Sequence, residues 1–276
     1  MLGKLIKHEW RAVWKILGGV NLFLLLYTLA GVLSLHSSIW RSTNIIIESL
    51  LSLASIFYVI AVMVISFTVL IYLTVRFYRN IYTDEGYLMH TLPVSQKELI
   101  FSKLLVAFIW VAITSVTIFI SIFSIAMTGL SVTDGISISQ AWNDITDFID
   151  PVWFKEVCGI SISHGIILAL IGSILNAIQS ILMIYASISI GQLLQKHKIL
   201  GSFLGYIGIN ACLQILNSVI LTPIMLGTSL DTSATLKEFS STILPYYYFS
   251  LAGNILLCIL FFFLTEYLMK KKLNLD

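Results

Sequence analysis

The sequence predicts an all-α, polytopic membrane protein: six transmembrane helices, with an N-terminal amphipathic helix lying in the membrane interface. Three observations predict it. Of the 276 residues, 58% are apolar and 11% charged, with a mean hydropathy of +0.95, whereas a soluble domain carries about 25% charged residues. Six stretches reach the roughly 20 mostly apolar residues that a spanning helix needs. The few charges are excluded from the cores of all six. So low a charge content cannot cover a water-facing surface of this size, which argues against a soluble enzyme, a disordered tail protein and a nucleic-acid binder. The whole chain, 1–276, reads as a single transmembrane domain.

The first 15 residues stand apart from the spans. Leu2, Leu5, Ile6, Trp10, Val13 and Trp14 recur at helical spacing on one face, with Lys4, Lys7, His8, Arg11 and Lys15 on the other. That pattern is an interfacial helix, with Trp10 and Trp14 as anchors at headgroup depth and the lysines toward anionic lipid. A secretory signal peptide is the rival reading. The apolar face of the charged segment and the length of the following run favour a retained anchor.

The spans fall at 17–35, 46–75, 104–128, 158–192, 199–226 and 242–269. All 16 basic residues except Arg41, Lys155 and Lys237 lie on the side that holds both termini. The other side collects Asp134, Asp144, Asp147, Asp150, Glu156, Asp231 and Glu238. The basic side of a membrane protein is cytoplasmic, so both termini are expected inside, in a multi-pass protein of the bacterial cell membrane. Of the outer connections only 129–157 is long. Trp142, Ile145, Phe148 and Trp153 stand there among aspartates, with Pro151 interrupting, which suggests a short interfacial helix; a substrate gate is the sharper alternative.

The cores contain amides, glycines and hydroxyls in place of charges. Asn176 and Gln179 lie three apart in the fourth span, and Asn210, Gln214 and Asn217 form one stripe on the fifth. Gly201 and Gly205 make a Gly-x-x-x-Gly at the start of that span. Small residues let helices approach and amides bond across them, so these positions read as helix packing, or as the polar lining of a substrate path. His164 reads as an interhelical hydrogen-bonding group. Cys158, Cys212 and Cys258 sit in apolar runs and read as buried small hydrophobes. Without an intramembrane carboxylate, a proton-coupled secondary transporter lacks its titrating group. Paired aspartates and a His-Glu-x-x-His are absent from the spans, and Ser163 beside His164 falls on a different helix face, so catalysis by an intramembrane protease is not expected. No catalytic residue, cofactor or metal site is read.

One loop carries the chemistry. Between the second and third spans, residues 76–103 place the acidic pair Asp84 and Glu85 ahead of a short segment with Tyr87, Leu88 and Leu92 on one apolar face. Pro93 stops that segment. Ser95 then caps the next helix, with Glu98 completing a capping box, and this helix continues through Lys103 into the third span. An apolar face on such a loop fits either a partner protein or a membrane-hugging turn.

This loop resembles the first cytoplasmic loop of bacterial ABC-2 type permeases, the membrane subunits of ATP-driven exporters. That family places Glu and Gly before a short helix, then Thr-Leu-Pro, Val, Ser, an aliphatic pair and Lys. The matching positions here are Glu85, Gly86, Thr91, Leu92, Pro93, Val94, Ser95, Leu99, Ile100 and Lys103. Where the commoner version reads Gly-Thr-Leu-Glu, this chain has Gly86-Tyr87-Leu88-Met89-His90. The resemblance implies that residues 84–95 are a coupling helix seated on a separate ABC-type ATP-binding subunit. It also implies pairing with a second copy or a homologous permease, and export of an amphiphilic substrate. The sequence has no Gly-x-x-x-x-Gly-Lys-Ser/Thr, so ATP hydrolysis is expected on the partner. A non-transporting membrane anchor or assembly scaffold for an ATPase complex is the alternative, and an ion-coupled secondary transporter comes after it.

Overall fold

The computed structural model describes residues 2–35, 45–83, 94–133, 139–140, 142–143, 151–194, 196–229 and 236–271. The fold is all-α. Among the described residues seven helices run in order: α1 Leu2–Leu35, α2 Ile45–Tyr82, α3 Gln96–Thr133, α4 Pro151–Cys158, α5 Ile162–Gly191, α6 Lys198–Ser229 and α7 Leu236–Lys271. All but α4 are long and apolar enough to cross a membrane, which makes this a multi-pass membrane protein. The chain divides into two compact units. The first holds residues 1–75 and 105–148, and the second holds 76–104 and 149–276.

The N-terminus differs from the expectation of a separate interfacial helix. Helix α1 runs unbroken from Leu2 to Leu35. No proline interrupts it, and Gly18 and Gly19 stay within it, Gly18 facing the Trp110 ring. At 1.5 Å per residue its 34 residues make about 50 Å, against roughly 30 Å of hydrocarbon. The basic first turns are therefore the part that extends beyond the hydrocarbon. One face of α1 is buried through Glu9, Val13, Leu17, Asn21, Leu24 and Thr28, and it takes in a carboxylate that the amphipathic pattern leaves out.

Within the first unit, α1 packs parallel to α3. The Trp10 and Trp110 rings stack at 5.2 Å. Asn21 Nδ2 donates to Thr114 Oγ1 at 3.2 Å, and the Thr28 and Ser121 hydroxyls bond to each other. Asn21 to Thr28 and Thr114 to Ser121 are each one seven-residue step, so the seam repeats every two turns, as in shallow left-handed crossings. Tyr58 of α2 joins by bonding Ser121 Oγ at 2.6 Å and stacking on Tyr27 at 6.2 Å.

In the second unit, α5 is the central helix, packed on both α6 and α7, with α4 against α7 and α5. Pro151 begins α4 instead of interrupting a helix, because the first helical position needs no backbone N–H. Gly159, with φ 69°, then turns the chain. A left-handed residue there favours glycine. Ser161 caps α5, so this span starts at Ile162 and not at 158. His164 Nε2 bonds Tyr248 Oη at 3.0 Å, the interhelical role expected of it. Tyr247 donates to the Leu168 carbonyl at 2.9 Å, and a Cβ at Gly172 would sit 2.2 Å from its oxygen. Cys258 is half-buried but Cys212 is exposed, a correction to the expectation that the cysteines are interior; both are free thiols.

The α5–α6 turn is the tightest approach. A Cβ on Gly191 would lie 2.3 Å from the Ser202 backbone nitrogen, and one on Gly201 would lie 3.0 Å from the Gly191 carbonyl oxygen. Gly205 lies 3.4 Å from the Ser187 carbonyl by the same measure, whereas Gly208 meets nothing within 4 Å. Gly191→Ala is therefore expected to destabilise the protein by about 1–3 kcal/mol, the range for overpacking a tight contact, while Gly208→Ala leaves stability equal or slightly higher. Unfolding curves of the two variants in one detergent test this, and equal behaviour would refute the close-packed turn.

Candidate functional site

Of the loop singled out by sequence, Asp84, Glu85, Gly86, Tyr87, Leu88, Thr91, Leu92 and Pro93 lie outside the described residues. Val94 and Ser95 are described, as are the two helix ends that carry the loop. The Ser95 N–H and hydroxyl both reach Glu98 Oε2 at 3.2 Å, and the Glu98 N–H donates to Ser95 Oγ at 3.3 Å. This reciprocal box satisfies donors at the start of α3. The helix then runs without interruption through Lys103 into its span.

Both ends of the loop are anchored in the core of the second unit. On the α2 side, Phe77 is 1% exposed and its ring lies on that of Tyr185 at 3.6 Å and 5°. One turn on, Tyr82 Oη bonds Ser189 Oγ at 2.7 Å. On the α3 side, Lys97 Nζ lies 3.8 Å from Glu266 Oε2 and 5.7 Å from the centre of the Phe263 ring. Glu266 is buried and is also paired with Lys270, one turn along α7. Thus α2 is tied to α5, and α3 to α7.

Burial is concentrated at this end. In α5 every buried residue lies in Ile181–Gly191, and in α7 the buried residues are Phe261, Thr265, Glu266, Leu268 and Met269. Ile81, Leu99, Ile100 and Lys103 are buried on the stalks themselves. The far halves of α5 and α7 have no buried residue among those described. Ordered side-chain packing resists deformation, so this end of the unit is its stiffest part.

The amides lie elsewhere. Asn176, Gln214 and Asn217 are exposed, while Gln179 and Asn210 are half-buried. Apart from Ser180, whose hydroxyl reaches Asn176 Oδ1 at 3.4 Å, none of these side chains has a hydrogen-bonding partner among the described residues. The structure does not bring the α5 and α6 amides into one bonded network. Gly201 and Gly205 face α5, and Gly201 is the one buried residue among those described in α6. Trp10 is half-buried on Trp110, whereas Trp14 is 54% exposed. Among the described residues no three His, Cys, Asp or Glu side chains are grouped as a metal site.

Sequence reasoning passed over two features. One is the Asn21–Thr114 and Thr28–Ser121 seam, signalled by small polar residues seven apart in the first and third spans. The other is Glu266, which lies one residue beyond a charge-free core and carries its own signal in the i,i+4 pair with Lys270. The chain matches no family model, no curated protein and no solved structure.

Two kinds of contact hold the loop's ends, and they differ in strength. Phe77→Ala removes a fully buried ring and should cost about 3–5 kcal/mol. Lys97→Ala breaks a pair whose lysine is mostly exposed and should cost less than about 1 kcal/mol. Denaturant or thermal unfolding in nanodiscs ranks them, and a Lys97→Ala loss equal to that of Phe77→Ala would show that the ion pair, not the ring stack, is the main anchor.

Proposed function

We propose that this chain is the permease subunit of an ABC-type exporter of the bacterial cell membrane, moving an amphiphilic substrate with energy from a separate ATP-hydrolysing subunit. The observation that carries the reading is the double anchoring of the 84–95 loop. Its flanks are fixed into the packed end of α5 and α7 by Phe77–Tyr185, Tyr82–Ser189 and Lys97–Glu266. A force applied to a loop with slack flanks would be lost in the flanks. Here a displacement of the loop acts directly on helices that cross the membrane, as a coupling element requires. The motif resemblance supplies the partner: Glu85, Tyr87, Leu88 and Leu92 seat on the ATPase, with both chain termini on that same cytoplasmic side.

A second copy, or a homologous permease, completes the substrate path. Amides facing hydrocarbon are costly, and Asn176, Gln214 and Asn217 are exposed on membrane-spanning helices. A partner permease covering that face gives them polar neighbours and lines a route for an amphiphile. Export as the direction follows from the resemblance.

Co-purification with a candidate ABC-type ATPase subunit, followed by reconstitution in vesicles, is the test. Glu85→Ala and Leu88→Ala should each cut transport and substrate-stimulated ATP hydrolysis at least tenfold, while the permease still inserts and remains monodisperse. Full transport in both variants overturns the coupling role. ATPase binding with no substrate-dependent hydrolysis in the unmodified complex points instead to the non-transporting anchor.

A further inference from the structure

The first unit contains a cavity of about 450 Å³ between α1, α2 and α3, within the size range of small-molecule sites. We propose that it binds one acyl chain of a bilayer phospholipid. The assignment is independent of how, or whether, the protein is driven by ATP.

Depth identifies the surroundings. The lining residues fall at 27–35, 54–58 and 125–129, inside the stretches 16–40, 49–75 and 104–133 that contain no Lys, Arg, Asp or Glu. The cavity therefore lies among three helices long and apolar enough to cross a membrane, where hydrocarbon surrounds it.

The chemistry of the walls favours an apolar occupant over water. Among the described residues no charged side chain lines the cavity. The Ser34 hydroxyl is bonded to the Gly31 carbonyl, and that of Ser55 to the Ser52 carbonyl, each at 2.7 Å. The Tyr58 hydroxyl is bonded to Ser121. A buried water needs two to four polar partners; the Ser34, Ser55 and Tyr58 hydroxyls are already bonded to the protein, which leaves the Tyr27 hydroxyl as the one lining side-chain group without a bond among the described residues. An apolar cavity of this size left empty is itself costly. An apolar chain meets both demands.

Shape selects a chain over a compact molecule. Along α1 the wall runs from Tyr27 to Leu35, about 12 Å at 1.5 Å per residue. Small residues, Ala30 and Gly31 on α1, Ala54 on α2 and Gly129 on α3, open the slot along this length. The near-parallel Tyr27 and Tyr58 rings close its inner end. The Tyr58–Ser121–Thr28 hydrogen bonds fix that plate to all three helices. An acyl chain lying along the slot stops at the tyrosines.

Gly129 provides the test, because a Cβ there meets nothing within 4 Å. Gly129→Phe should fill the slot without displacing the backbone. The protein is placed in phosphatidylcholine vesicles containing a phosphatidylcholine with a diazirine on its acyl chain, irradiated, and digested for mass spectrometry. Adducts on peptides bearing Tyr27–Leu35 and Tyr58 should exceed those on the exposed α6 residues Phe203, Leu204 and Ile207 at least fivefold. Gly129→Phe should remove that excess and leave the α6 labelling unchanged. Ala54→Phe fills the same slot from α2 and gives the same reading if Gly129→Phe fails to fold. Cavity labelling no denser than on α6, or undiminished in the filled variants, overturns the proposal. So does cross-linking of this face to a second copy in place of lipid.

Discussion

Hydrocarbon offers no hydrogen-bonding partner, and the rest of this structure follows from that. Every backbone N–H and C=O at membrane depth must be paired within the chain, so the spans are helices. The same constraint acts on hydroxyl side chains. Ser66, Thr68, Thr74, Ser115 and Ser124 all turn back onto a carbonyl of their own helix. Only where two or three helices meet do such groups bond across an interface, as at Thr114 to Asn21 and at Ser121 to Thr28 and Tyr58. These cross-helix bonds are individually modest, on average about 0.6 kcal/mol in a membrane protein. Asn21, Thr28 and Thr114 also bond carbonyls of their own helices, so the value of the cross-helix bonds lies in register: they form only when positions 21 and 28 of α1 stand opposite 114 and 121 of α3.

Packing is distributed unevenly, and the distribution is informative. The second unit is densely packed at the end where the 84–95 loop attaches and open along the rest of α5, α6 and α7. Membrane helices gain nothing from hiding apolar side chains from lipid, so exposed leucines and phenylalanines along α6 are ordinary. Exposed amides on the same helix, Gln214 and Asn217, are the costlier case, because hydrocarbon offers them no hydrogen-bonding partner. The tight glycine contacts at Gly191 and Gly201 hold the α5–α6 turn, and the Phe77–Tyr185 stack holds α2 to α5. In the first unit, small residues on three helices produce the reverse result, a slot where the spans fail to fill the space between them.

Much of the fold was legible before any coordinates. Six charge-free stretches corresponded to six helices, and Ser95 with Glu98 marked the start of α3 through local chemistry alone. Where the reading failed, the cause was a backbone detail that composition does not carry. The run from Leu2 to Leu35 contains no breaker, so polarity could not divide it into two helices. Pro151 was legible as a break but not as a first helical residue, and Gly159 ended α4 by a left-handed turn hidden inside an apolar run. The candidate site was legible in part. The motif located the loop, but Tyr185, Ser189 and Glu266, which hold its flanks, lie roughly 80 or more residues further along the chain, and no local pattern joins them to it.

By itself, then, the sequence determined the solvent this protein lives in, its all-α class, the number of its spans and the position of its one distinctive loop. Each depends on hydropathy, charge or capping over neighbouring residues. The tertiary structure alone decided that the flanks of the loop are tied to α5 and α7, that Gln214 and Asn217 of the α6 amide stripe are exposed while Asn210 is half-buried, and that three helices line a slot floored by two tyrosines. Those outcomes depend on which faces of distant helices meet, and that is settled by side-chain shape and the few bonds available in a medium without water.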